Sequence, residues 1–180
     1  QSHIHGPEVP GLKPTVKPRR ILGVSRNVFF LGLTSFFQDI SGEMIFTIMP
    51  LFLANVLGVK ISIIGLIEGI SESTSSLLKF AGGWFSDRIG RHKAFTAFGY
   101  ALSTVAKPFL YFATTWGAVL AVRFTDRVGK GIRTSPRDAL LADSTQDGEM
   151  GRSFGFHRAL DTLGAVLGLA SAALIIFLLQ

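Results

Sequence analysis

The 180-residue sequence contains no cysteine, which excludes a disulfide and a thiolate metal site. Charge is sparse: Asp, Glu, Lys and Arg make up 17% of the chain, against about 25% in soluble domains. The phosphate-binding pattern GxxxxGK[ST] is missing, and so are HExxH and GxSxG. No nucleophile–base pair, metal set or cofactor motif stands out, so an enzyme is not the expectation and no cofactor or metal is assigned. Any transport work would draw on an energy source other than ATP bound to this chain. The first twenty residues have no apolar run, which speaks against a signal peptide.

What is present is apolar sequence in blocks. Charges cluster at a few places and leave windows of about 20 apolar residues, the length of a membrane-crossing helix. The fold class read from this is all-α, a polytopic transmembrane helix bundle. Five helices are expected at about 28–57, 61–85, 94–114, 116–140 and 154–179, within a membrane unit over 26–180. Residues 1–25, with four prolines before Arg20 and basic residues at Lys13, Lys17, Arg19 and Arg20, read as a basic, disordered cytoplasmic tail. His3 and His5 belong to that tail. The net charge of +6 is accounted for by basic cytoplasmic loops, and no nucleic-acid partner is inferred.

The orientation follows from Lys and Arg. The tail and Arg26 precede the first span, and Arg88, Arg91 and Lys93 follow the second, whereas Lys60 alone lies between them. The N-terminus is therefore expected in the cytoplasm, with the chain integral to the membrane. The stretch RFTDRVGKGIRTSPRD, Arg123 to Asp138, is the difficult one. As an outer loop it would break the charge rule, and residues 94–122 are too short for two spans before it. It is therefore read as part of the fourth span, with its charges buried in protein or lining a wet cavity. Arg123, Arg127, Lys130 and Arg137 fall near one helical face, and Pro136 is expected to end or kink the helix.

Other charges interrupt the apolar spans. Asp39 and Glu43 are i,i+4 in the first span, and Glu68 and Glu72 are i,i+4 in the second, followed by Lys79. Lys107 stands next to Pro108 in the third. Ionised groups at this depth are costly unless they are paired or face water inside the bundle. They point to a central polar cavity with titratable acids. Structural pairs such as Glu72 with Lys79, or Asp126 with Lys130, are the plainer account. His157 and Asp161, again i,i+4, suggest an interfacial pair in the fifth span. Gly164 and Gly168 form GxxxG, a close-packing pattern. DRIGR at Asp87–Arg91 returns as DRVGK at Asp126–Lys130.

The stretch Gly83-Trp-Phe-Ser-Asp87-Arg88-Ile-Gly90-Arg91-His92-Lys93 resembles the signature G-x-x-x-D-[RK]-x-G-[RK]-[RK] of the major facilitator superfamily, in the loop after the second helix. Arg123 resembles the buried arginine of that family's fourth helix, which proton-coupled members use. Gly164-x-x-x-Gly168 resembles the motif of its antiporter branch, with Leu169 where proline is usual. SFFQDISGEM, LIEGISESTSSLLK and DRVGKGIRTSPRDALLADS resemble a bacterial and archaeal exporter-type subgroup.

The resemblance implies five helices of an N-terminal six-helix domain, with a C-terminal helical bundle as the missing partner beside the lipid bilayer. It implies a secondary active transporter that moves a small molecule or ion by alternating access, exporting it in exchange for protons. Proton symport or uniport for uptake is the alternative, and a non-transporting membrane receptor or assembly module is the rival from another class. Asp39, Glu43, Glu68, Glu72, Arg123 and Arg127 are the candidates for the proton-coupling or substrate cavity. Gly83, Asp87, Arg88, Gly90, Arg91 and Asp138 would form a cytoplasmic gate, in which Asp87 and Arg91 pair with Asp138 or Asp143.

Overall fold

The computed structural model describes residues 20–146 and 148–179, and the chain is helical through nearly all of them. It opens on a hairpin of two short antiparallel strands, β1 (Arg20–Ile21) and β2 (Val24–Ser25), with Arg20 opposite Ser25. Leu22 (φ 51°) and Gly23 (φ 80°) make the two-residue turn, and positive φ at both positions matches the twist of paired strands. The expected disordered tail is thus corrected for residues 20–25. Arg20 also donates to Glu149 Oε1 at 2.8 Å and to Gln146 Oε1 at 2.7 Å, which ties the hairpin to the segment before the last helix. His3, His5 and the other residues up to 19 lie outside the described residues.

Five long helices follow. The first, α1 (Arg26–Asn55), starts where the Ser25 hydroxyl accepts the Val28 N–H at 3.3 Å, an N-cap. The second is α2 (Ile61–Ile89), the third α3 (His92–Ala106). A 3-10 segment, Lys107–Phe112, continues the third, because Pro108 has no N–H to give to an α-helical ladder. The fourth, α4 (Trp116–Asp143), is capped by Thr115, and the fifth is α5 (Met150–Leu179). Pro136 neither ends α4 nor lies near its exposed tip. It is buried inside the helix, which runs on to Asp143. A 30-residue helix such as α1 or α5 is about 45 Å long, more than the ~30 Å hydrocarbon layer. Among the described residues these two are the helices long and apolar enough by composition to cross a membrane; α3, at 15 residues, is too short by that measure, and α2 and α4 are less apolar.

Packing divides the helices into two groups. α1 lies along α5, and α4 lies between α2 and α3. Missing side chains permit the close approach. A Cβ at Gly164 would stand 2.6 Å from the Phe36 carbonyl oxygen, and one at Gly168 2.6 Å from that of Ile40. In the other group, Gly99 and Gly129 face each other across α3 and α4. The contact between the groups is sparse, with few residues of α4 touching α1 or α5. Apolar clusters close the two ends. Met49, Leu53, Ile64, Ile67, Ala113 and Val119 form one, and Val24, Val28 and Leu141 the other. Phe80 (83% exposed), Phe177 (76%) and Leu77 (72%) project outward. So much uncovered apolar surface suits lipid as the surrounding medium.

Candidate functional site

Between the apolar ends the interior is polar. Arg123, Asp126, Arg133 and His157 are all buried, as are Ser35, Ser71, Ser75 and Ser103. α4 supplies most of this layer, because its basic residues recur every three or four positions and so project along its length. Arg123 donates to Glu68 Oε2 of α2 at 2.6 Å and stacks on Phe46 of α1, its Cζ 3.9 Å from the ring centre. One turn on, Arg127 is 3.8 Å from Glu72 of α2. Further along, Arg133 donates to Ser103 Oγ at 3.1 Å and lies over Tyr100, 4.4 Å from the ring centre. Last comes Arg137, which contacts Asp138 at 3.0 Å, Asp161 at 3.5 Å and Ser35 Oγ at 3.3 Å.

Glu68 and Glu72 are thus partners of α4 arginines, and neither Lys79 nor Lys130 completes the pairs that spacing along one helix suggests. Asp126 meets α3 through its backbone, whose carbonyl accepts from Ser103 Oγ at 3.0 Å. His157 and Asp161 do come together, at 3.4 Å, with Arg137 as a third member.

Asp39 and Glu43 are different. Among the described residues neither has an ion-pair or side-chain hydrogen-bond partner. Both line a cavity of about 340 Å³ where α1, α4 and α5 diverge, together with Lys79 of α2 and with Lys130, Arg133, Arg137, Arg158 and Asp161. A narrower void of about 20 Å³ continues it past Lys107, Asp126 and Arg127. The pair Asp39 and Glu43, at four-residue spacing, is legible in the sequence. Arg133 and Arg158 as cavity walls were not, since nothing local separates them from ordinary basic residues at a membrane surface.

The motif after α2 is a helix stop. Gly90 caps the helix at φ 67°, its N–H bonded to the Ser86 carbonyl, and α3 begins two residues later. Gly83 packs on α4, where a Cβ would meet Ser135 Oγ at 2.6 Å. Asp87 and Arg88 are exposed; Asp87 lies 3.8 Å from His92 Nδ1 and Arg88 stacks on Trp84. The expected contact of Asp87 and Arg91 with Asp138 or Asp143 is not made among the described residues. Asp138 is instead held by Arg137 beside it. The second copy, DRVGK, lies inside α4, where Gly129 serves helix packing rather than a turn.

The sequence profile of the Major Facilitator Superfamily matches residues 31–179. An uncharacterised MFS-type transporter of Methanocaldococcus jannaschii is 40% identical over 157 residues, 87% of this chain and 39% of that protein. An uncharacterised protein of Mycobacterium bovis is 32% identical over 150 residues, 83% of this chain and 36% of that one. An inner membrane metabolite transport protein of Escherichia coli is 36% identical over 103 residues, 57% of this chain and 23% of the relative. The chain spans about two fifths of the length of the first two.

Proposed function

Since the chain belongs to the Major Facilitator Superfamily, we propose that it forms the N-terminal helical bundle of a secondary active transporter in a prokaryotic inner membrane. A second bundle would pack against it, and the two would rock about the central cavity. The observation that carries this is the cavity itself, a charged hollow in a bundle with an apolar exterior. Asp39 and Glu43 are its proton-coupling acids. They face the hollow and have no fixed partner among the described residues, so a proton can come and go without breaking an ion pair. Arg123 and Arg127, committed to Glu68 and Glu72, hold α4 against α2. The glycines at 83, 90, 164 and 168 keep helices and turn in register. The exposed charges of the motif at 87–91 form the cytoplasmic gate, closing on Asp138 and the facing bundle in another conformation.

The resemblance to exporter-type members favours exchange of a small solute for protons. Proton symport is the second reading, and the excess of basic over acidic residues around the cavity favours it. Counterflow in proteoliposomes with imposed pH gradients tests both. An exchanger accumulates solute when the vesicle interior is acidic, and a symporter when the exterior is. Asp39→Asn with Glu43→Gln should uncouple flux from the gradient. Full pH-driven transport in that double variant would overturn the assignment, and absence of any flux in the parent protein would leave the receptor or assembly reading.

A further inference from the structure

We infer that the cavity between α1, α4 and α5 takes a small solute bearing an oxyanion, a carboxylate or a phosphate; this names a substrate class and rests on the transporter reading above. The cavity wall carries five basic residues and three acids. Asp161 is occupied by Arg137 and His157, and Arg137 is shared with Asp138. Lys79, Lys130, Arg133 and Arg158 have no carboxylate within ion-pair distance among the described residues, against two acids, Asp39 and Glu43, equally without a partner. Arg133 sharpens the point. It is 5% exposed, its face rests on Tyr100, and among the described residues its single side-chain hydrogen-bond partner is the neutral hydroxyl of Ser103. A guanidinium buried this deeply wants an anion.

The four cations come from three helices, α2, α4 and α5, and the two acids from α1. Inside a low-dielectric bundle, an excess of one sign of charge in a cleft is screened less than it would be at an open surface. Arginine forks match planar carboxylate and tetrahedral phosphate oxygens, and lysine adds a mobile point charge. The hollow within this bundle, about 340 Å³, has room for a carboxylate or phosphate group among these cations. A cationic solute would meet net repulsion, and a neutral sugar would leave the charges uncompensated.

The test uses the full-length protein purified in detergent. Its melting temperature is followed against citrate and inorganic phosphate, with glucose, tetraphenylphosphonium and chloride at matched ionic strength as controls. Saturable stabilisation by citrate or phosphate, and not by the controls, is expected. Lys130→Gln and Arg158→Gln should each weaken it about tenfold, as loss of one charge-assisted contact implies, and Arg158→Lys should restore most of it. Arg158 is exposed at the cavity mouth, so its variants fold whether or not Lys130→Gln does. Three outcomes would overturn the inference: no protection by either anion, protection by tetraphenylphosphonium or glucose instead, or protection unchanged in the Arg158 variant. Counterflow of the same solutes separates the two layers. Anion binding without flux defeats the transporter reading and leaves the anion site standing, whereas flux of a cationic or neutral solute without anion binding defeats the anion site alone.

Discussion

Arg123 of α4 and Glu68 of α2 meet at 2.6 Å, while the face of the same guanidinium rests on Phe46 of α1. One side chain thereby touches both helix groups. Its Nε and Nη1 are buried without another hydrogen-bond partner among the described residues, so Glu68 carries the compensation of that charge. Glu68→Ala should destabilise the bundle by ~1–3 kcal/mol, less than a fully buried pair because the carboxylate is 39% exposed. Thermal melts in detergent read this directly. A double-mutant cycle with Arg123→Met should return a coupling of ~1 kcal/mol or more, and additivity would show that the pair contributes nothing specific.

The α1–α5 seam depends on two absent side chains. Gly164→Val and Gly168→Val would each drive carbon atoms into the α1 backbone at Phe36 and Ile40. Each should cost ~1–3 kcal/mol. Gly155→Ala, on the same helix but with no atom within 4 Å of the added carbon, is the control and should melt like the parent.

The two copies of the five-residue pattern should respond differently to asparagine. Gly90 needs its left-handed backbone but has open space around it. Gly90→Asn should therefore be tolerated, and Gly90→Val should cost ~1–2 kcal/mol. Gly129 sits in ordinary helix with the Gly99 carbonyl 2.7 Å from where its Cβ would be. There Asn and Val should both be damaging, and Gly129→Ala as well. Equal tolerance at the two glycines would contradict these separate roles.

The gate is a proposal about another conformation. Asp87 is exposed and, among the described residues, bound to nothing stronger than His92 at 3.8 Å, so Asp87→Asn should leave the stability of the bundle within ~0.5 kcal/mol of the parent. In the full-length protein it should raise the labelling rate of cytoplasmic-side cysteine probes by shifting the balance of states. An unchanged labelling rate removes Asp87 from the gate.

Lys107 closes the 3-10 segment against α1, donating to the Gln38 carbonyl at 3.2 Å. Lys107→Met keeps the stem but forfeits the donor. It should destabilise by ~1 kcal/mol and should loosen hydrogen exchange near Pro108 more than elsewhere. A uniform change along the chain would argue against so local a role.

Much of this was legible along the chain. Long apolar blocks give helices, because a backbone in lipid must satisfy its own hydrogen bonds. The turn at Gly90, the placement of Arg123–Asp138 inside a helix, and the four-residue spacing of Asp39 and Glu43 all follow from spacing and charge. What misled was locality. Glu72 seemed suited to Lys79 and Asp126 to Lys130 because they are neighbours on one helix. Pro136 reads as an end or a kink of the helix, and nothing nearby in sequence shows the packing that lets α4 run on through it to Asp143.

By itself the sequence determined the helical class, the depth at which charges enter the bundle and the family to which the chain belongs, since each rests on the order and spacing of residues. Only the tertiary structure decided which charges cancel. Glu68 and Glu72 went to α4, Asp161 to Arg137, and Asp39 and Glu43 to an open cavity, because ion pairing depends on distances of a few ångströms between helices far apart in the chain. The electrostatic sign of that cavity, and with it the class of solute it suits, exists only once those partners have been assigned in space.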